Sequence, residues 1–384
     1  MSPLDPRLET HKPALVYDPQ EAYRAMSAAS ITDWRDNALK RSNGSIVSRA
    51  GAGLSLALLS AYDVRDGDRL DEVGDPLRAS RRFQGDPAYR ERVYARVKED
   101  GGRTWLQYWL WCYYNPKHLL GFGKHEGDWE VVQVGLGADG TPEVATYSQH
   151  ASGEAREWQD VRRQDDHPIV YVAPLSHACY FEPGAHPYPI GIDNPDDSLP
   201  PVLPRLEPFG GWATWTGRWG NSRGVAGGQF GGRSPASPGR QNPKWTNPAR
   251  WHTAARATKP LRSAGRAVRQ AGKATYPKLT SIDARREGDR VLVDYTLDPA
   301  PQRRASRLLV TLHRPGDEEE LLASCPEKLE GTQGMVDVPV PAGVEGDLVV
   351  RASAYNVLRQ RSDPLETRTD GAPATLEAGD RPGG

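Results

Sequence analysis

Thr104-Trp-Leu-Gln-Tyr-Trp-Leu-Trp-Cys-Tyr-Tyr-Asn115 and, after it, Trp129-Glu-Val-Val-Gln-Val-Gly-Leu136 decide the fold. Successive side chains of a strand point to opposite faces, so the large residues at both parities of the first run require cover on both sides. That is the pattern of a central strand. The second run is rich in β-branched and apolar residues, as are Glu143–Gln149 and Ile169–Ala173, and Gly137–Pro142 reads as a hairpin turn. These segments predict a mainly β chain with a jelly-roll or β-sandwich domain at residues 1–252. Helices are expected before it. Gln20–Lys40 reads as one, and Asp86-Pro87 reads as the start of another, with Tyr89, Val93 and Val97 as its apolar stripe.

Beyond residue 252 the pattern changes twice. Residues 253–277 read as a basic linker, with a short amphipathic helix over Thr258–Ala274. From 278 to 366, apolar and polar residues alternate in short runs: Val291/Val293/Tyr295, Leu308/Val310/Leu312, Val336/Val338/Val340 and Leu348/Val350/Ala352/Ala354. Such spacing without a cysteine pair resembles a small fibronectin type III-like β-sandwich, a module that spaces or binds. Residues 367–384 read as a disordered tail.

The 49 basic and 50 acidic residues nearly cancel, so net charge selects no partner. The distribution is uneven: Pro208–Ile282 holds 13 Lys and Arg and no Asp or Glu. Without interleaved aromatics in the basic helix, specific nucleic-acid binding is not expected, while peripheral membrane contact is compatible with it. Three cysteines form no disulfide framework or CxxC motif. The N-terminus lacks an apolar signal region, and the apolar run Ala50–Tyr62 is too short to span a bilayer. The expectation is a cytoplasmic protein, or one exported without a classical signal peptide, with no transmembrane segment.

The chemistry concentrates at His125-Glu-Gly-Asp128-Trp-Glu130. On a strand Asp128 and Glu130 share a face, and His125 just before them can fold over both. Two carboxylates and an imidazole suit a divalent cation, with Ca²⁺ or Mg²⁺ favoured by oxygen ligands. Six of the nine histidines lie between His118 and His186. Of these, His150 and His177 sit at strand ends and are candidates for general acid or base. Trp212, Trp215 and Trp219 lie in a Gly/Trp-alternating stretch, where they plug a core or stack on a sugar ring.

The ordered motifs Trp105–Asn115, His125–Glu130, Tyr147-Ser-Gln-His150 and Val170-Tyr-Val-Ala-Pro-Leu-Ser-His177-Ala resemble the vacuolar-protein-sorting-62 family over residues 12–252. More distantly, the H-x-x-D-W-E core is similar to the heptapeptide of the necrosis-inducing cytolysins, a β-sandwich family. There the matching residues bind a divalent cation that engages a sphingolipid headgroup, which would put metal ligation on His125, Asp128 and Glu130. Lys124 and Glu126-Gly127 depart from that heptapeptide. Three functions fit: a metal-assisted binder of a glycan or lipid headgroup, a metal-dependent hydrolase of a phosphoester or similar bond, and a site that only ties loops together.

Overall fold

The computed structural model describes residues 3–72, 74–116, 124–150, 152–188, 191–221, 234–257, 276–356 and 361–370. The chain divides into two compact units, Met1–Asp197 with Pro201–Arg266, and Ser198–Pro200 with Ala267–Gly384. It is mainly β.

Unit one begins with α1 (Pro6–Thr10), β1 (Ala14–Tyr17), α2 (Ala29–Asp33), β2 (Asn37–Lys40), β3 (Ile46–Arg49), α3 (Leu56–Ala61), β4 (Arg69–Glu72) and α4 (Pro76–Gln84). The main strands follow: β5 (Arg92–Asp100), β6 (Arg103–Asn115), β7 (His125–Leu136), β8 (Pro142–Gln149) and β9 (Ser152–Glu157). Then come β10 (Arg163–Gln164), β11 (His167–Val172), β12 (Cys179–Tyr180), β13 (His186–Tyr188), β14 (Gly191–Asp193), β15 (Arg205–Pro208) and α5 (Pro248–Ala257).

The main sheet has the order β15-β5-β6-β7-β8-β9, with β6 and β7 at its centre. Along β6, Trp109, Trp111 and Tyr113 enter an aromatic core on one face, and Leu106, Tyr108 and Leu110 enter an aliphatic core on the other. That is the two-sided cover the sequence demands. A second sheet joins β1, in parallel, and β12, antiparallel, to β11. It contributes Leu15, Tyr17, Val170, Val172 and Cys179 to the aliphatic core. The hairpin at 137–142 forms, with Gly137 N–H donating to Thr141 O at 2.8 Å.

Two helix expectations fail. Between Gln20 and Lys40 only α2 is helical, and β2 follows at Asn37. Ala28, Ser30, Ile31 and Thr32 are all buried, so no polar face is left for an amphipathic helix. Asn37 Nδ2 donates to Ile31 O, and Thr32 Oγ1 to Ala29 O. At Asp86-Pro87 the carboxylate caps a turn, accepting from Ala88 N at 3.0 Å, and the chain enters β5. Val93 and Val97 lie four apart, a spacing shared by one helix face and one strand face. With Ala95 they line the aliphatic core. The helix starts earlier, with Asp75 as N-cap and Pro76 in the first turn.

Unit two contains β16 (Leu279–Glu287), β17 (Arg290–Leu297), β18 (Arg307–Arg314), β19 (Asp317–Lys328), β20 (Gln333–Pro339), β21 (Val349–Tyr355) and β22 (Leu365–Arg368). Its sheets have the orders β16-β17-β20 and β19-β18-β21-β22. Val291, Val293 and Tyr295 from the first and Leu308, Val310 and Val350 from the second share one core. β22 runs to Arg368, past the expected start of the tail, and residues 371–384 lie outside the described residues. The expected linker opens inside α5, and its basic helix over Thr258–Ala274 lies wholly outside them. Among the described residues no helix is long and apolar enough to cross a membrane.

Candidate functional site

β7 carries the motif. His125 is its first residue, and its Nδ1 donates to Gly127 O at 2.7 Å. Gly127 has φ +66° and lies against the ring of Trp111 and the backbone carbonyl of Trp219. Asp128 pairs with Cys112 across β6 and β7. Its Oδ2 accepts from Asn115 Nδ2 at 2.9 Å and His177 Nδ1 at 3.0 Å. Burial works against its ionised form, yet His177, His125 and Asn115 hold its carboxyl below the usual range. Glu130 accepts from Ser148 Oγ, which itself accepts from Val131 N at 2.7 Å. Burial, opposed by Lys244 and reinforced by the charge of Asp128, pushes Glu130 up to about 7.

His177 is fully buried and has a left-handed backbone, φ +56°. It sits in a tight loop closed by Ala173 N→Ala178 O and His177 N→Ala173 O, both 2.9 Å. Its Nε2 lies 3.9 Å from Glu21 Oε1. Glu21 is fixed in turn by Tyr23 N at 2.8 Å and Leu175 N at 2.6 Å. Burial opposes the imidazolium, but Cys112, Asp128 and Glu21 outweigh it and raise His177 well above the ordinary histidine value. A side chain with no exposed surface cannot meet a substrate, so the expectation of His177 as general acid or base is corrected. It orients Asp128 from behind.

His150 closes the β8–β9 turn at φ +52°. Its side chain is 32% exposed, and its Nε2 lies 2.7 Å from Asp193 Oδ2. Asp193, fully buried, also accepts from Ser176 Oγ at 2.8 Å and Tyr180 OH at 2.7 Å. Burial pulls His150 down, but Asp193 and the charges of Glu130 and Asp128 raise it. Leu175 has φ +69°, so it, His150 and His177 are three non-glycine residues with left-handed backbone around one acidic cluster. Strain of this kind gathers where surrounding structure fixes a functional geometry.

The tryptophans fall elsewhere. Trp212, Trp215 and Trp219 are 5%, 4% and 0% exposed within the aromatic core. Trp219 packs on Trp111 at 5.0 Å and Trp129 at 5.4 Å and donates Nε1–H to Ser237 Oγ. No indole face is open to a sugar, so these rings plug the core and the stacking expectation is corrected.

Two carboxylates and an imidazole are the donor types a divalent cation takes. Asp128 and Glu130 share a face, each is oriented by a donor, and the ring of His125 is fixed through Nδ1. Among the described residues no three His, Cys, Asp or Glu side chains stand at coordination geometry. The sequence reading missed Glu21, Asn115, Ser148 and Asp193 as partners. Asn115 and Ser148 lie inside motifs it singled out, but nothing local marks Glu21 or Asp193.

No protein-family profile matches the chain, and no curated protein matches it. Among solved structures it is similar to necrosis and ethylene inducing protein 2 from the causal agent of cocoa's witches' broom disease. The identity is 14% and the TM-score 0.30, over 55% of this chain and 76% of that one. For the non-toxic HaNLP3 protein the identity is 12% and the TM-score 0.33, over 66% and 94%. For NLPPya in complex with glucosamine they are 16% and 0.23, over 31% of this chain and half of that one.

Proposed function

We propose that unit one is a binding module that engages a hydroxyl-rich ligand, a glycan or lipid headgroup, through a divalent cation on Asp128, Glu130 and His125. The observation that carries the reading is the pair of carboxylates on one face of β7, each held from the protein side by its own donor, His177 with Asn115 for Asp128 and Ser148 for Glu130. Buried like charges are costly unless a cation or a proton lies between them. When bound, the cation would supply open coordination positions for ligand oxygens. The protein's part is to fix the carboxylates and the His125 ring, and His177 and Glu21 do so without touching the ligand. Membership of the vacuolar-protein-sorting-62 family, and a spacer role for unit two as a fibronectin type III-like module, belong to the same proposal.

One observation favours the second reading, a metal-dependent hydrolase. His150 is partly exposed and backed by buried Asp193, the arrangement of an oriented general acid or base. His150→Ala would then abolish phosphoester turnover with metal retained.

The deciding experiment measures metal content and cation-linked melting of the wild type against Asp128→Ala with Glu130→Ala. Near-stoichiometric metal that the double variant loses supports the site. If Ca²⁺, Mg²⁺, Mn²⁺ and Zn²⁺ all leave the wild-type melting temperature unmoved, the cation reading is wrong.

A further inference from the structure

One face of the small sheet β3-β2-β4 carries a row of cations that its carboxylates do not match. Lys40 on β2 pairs with Arg69 on β4, and Arg69 pairs in turn with Arg218 in the closing segment. The backbone fixes this last pairing: Leu70 N–H donates to Arg218 O at 2.9 Å, and Arg218 N–H donates to Asp68 O at 3.1 Å. Residues paired across strands point to one face, and the next residues along, Leu39, Leu70 and Trp219, enter the aromatic core. Lys40, Arg69 and Arg218 therefore stand side by side on the opposite face, within roughly 10 Å at the usual strand spacing. Asp71, two residues on from Arg69, lies 3.2 Å from Lys40 Nζ and 3.7 Å from Arg69 Nη2, and among the described residues no other carboxylate pairs with the row. Arg69 donates to the Arg41 carbonyl at 3.4 Å, and its buried Nε has no hydrogen-bond partner among the described residues. The exposed Arg218 side chain donates to Ser234 O at 3.4 Å. Like charges directly opposite one another destabilise a sheet. The closing segment cannot supply the missing negative charge, because Pro208–Ile282 contains no Asp or Glu.

We propose that Lys40, Arg69 and Arg218 form a binding site for a phosphate group, and the proposal does not rest on the cation reading above. With Asp71 counted against them, the three leave two positive charges unmatched. A phosphate monoester at neutral pH carries about −1.5 to −2, which answers that excess. The two guanidinium groups supply forked donors that match phosphate oxygens, and Lys40 adds a point charge beside them. The chemistry is shared by a soluble phosphate ester and a lipid headgroup that ends in phosphate.

The test follows melting of the full chain in EDTA, with inorganic phosphate or glycerol 3-phosphate titrated against sodium chloride at equal ionic strength. The melting temperature should rise saturably with either phosphate, beyond the effect of chloride. Arg218→Gln and Arg69→Gln should each need about tenfold more phosphate for the same rise. Arg35→Gln, at an exposed arginine outside the row, should match the wild type. Asp71→Asn should move the other way: it melts lower without phosphate and gains more from it, a pattern that damage to the fold alone does not produce. Sedimentation with phosphatidylcholine vesicles, with and without phosphatidic acid, separates the sources. Retention on phosphatidic acid that Arg218→Gln loses assigns a headgroup, and a phosphate effect without retention assigns a soluble ester. No rise beyond that of chloride, or an equal rise in the wild type, Arg218→Gln and Arg69→Gln, overturns the inference. Because EDTA removes divalent cations, either result leaves the cation reading untouched.

Discussion

Gly127→Ala tests how the aromatic core builds the site. Gly127 lies between Glu126 and Asp128 with φ +66°, and a Cβ there would fall against the Trp111 ring, 2.9 Å from Cζ3, and 2.8 Å from Trp219 O. Both rings are fully buried, and both pack on Trp129, at 5.0 and 5.4 Å. The left-handed backbone costs a residue with a Cβ roughly 1–2 kcal/mol. Forcing a methyl into a filled core costs about 1–3 kcal/mol. The two together give a loss of about 2–5 kcal/mol. All eleven tryptophans lie in unit one, so urea unfolding followed by tryptophan fluorescence reports unit one alone. The midpoint should fall with the slope unchanged. Because Gly127 O holds His125 Nδ1, cation-linked stabilisation should shrink even where the variant is folded. A loss under about 1 kcal/mol would refute the reasoning, because it would mean that the loop relaxes or that the Trp111–Trp219 wall moves.

Trp219→Ala removes a fully buried ring and its bond to Ser237, at a cost of about 3–5 kcal/mol in the same assay. His252, on α5 and bonded to Thr146 Oγ1, is pushed down to about 4 by burial and by Arg103 and Arg256. The fold favours its neutral form, so its contribution is complete above the ordinary 6.5 and declines as pH falls from 6.5 towards 4. Urea midpoints measured between pH 7 and 4.5 should fall more steeply for the wild type than for His252→Gln, and equal slopes would count against it. Glu130 has the opposite sign: raised from 4.5 to about 7, it contributes fully below 4.5 and loses that contribution as pH rises through 7. A bound cation offsets the loss, so Ca²⁺ or Mg²⁺ should stabilise the wild type more at pH 8 than at pH 5.5. Glu130→Gln should show no such difference, and a cation effect independent of pH would sink this link.

What the sequence revealed and what it hid divide along physical lines. β6 was legible because a strand with Trp109 and Trp111 at one parity and Leu106 and Leu110 at the other has no polar face to give to water. Asp128 and Glu130 were legible as a pair because the strand period fixes their common face. Val93 and Val97 misled because a spacing of four satisfies a helix and a strand alike, and only Ala95 between them breaks the tie. Glu21 was invisible: its contact with His177 depends on β1 lying parallel to β11, a pairing that no local pattern encodes. The tryptophans show the deeper limit. Alternating Gly and Trp at 211–220 fits rings turned outward as well as rings turned inward. What turns Trp219 inward is the approach of its neighbour, Gly220, to Glu126, where a Cβ would lie 2.6 Å from the carbonyl oxygen. The glycine that looked like loop filler brings the closing segment onto β7, and that contact covers the aromatic core beneath the candidate cation site. A Gly220→Ala change should therefore reach the site through the core, lowering cation-linked stabilisation along with the urea midpoint. A variant that lost neither would separate the closing segment from the motif.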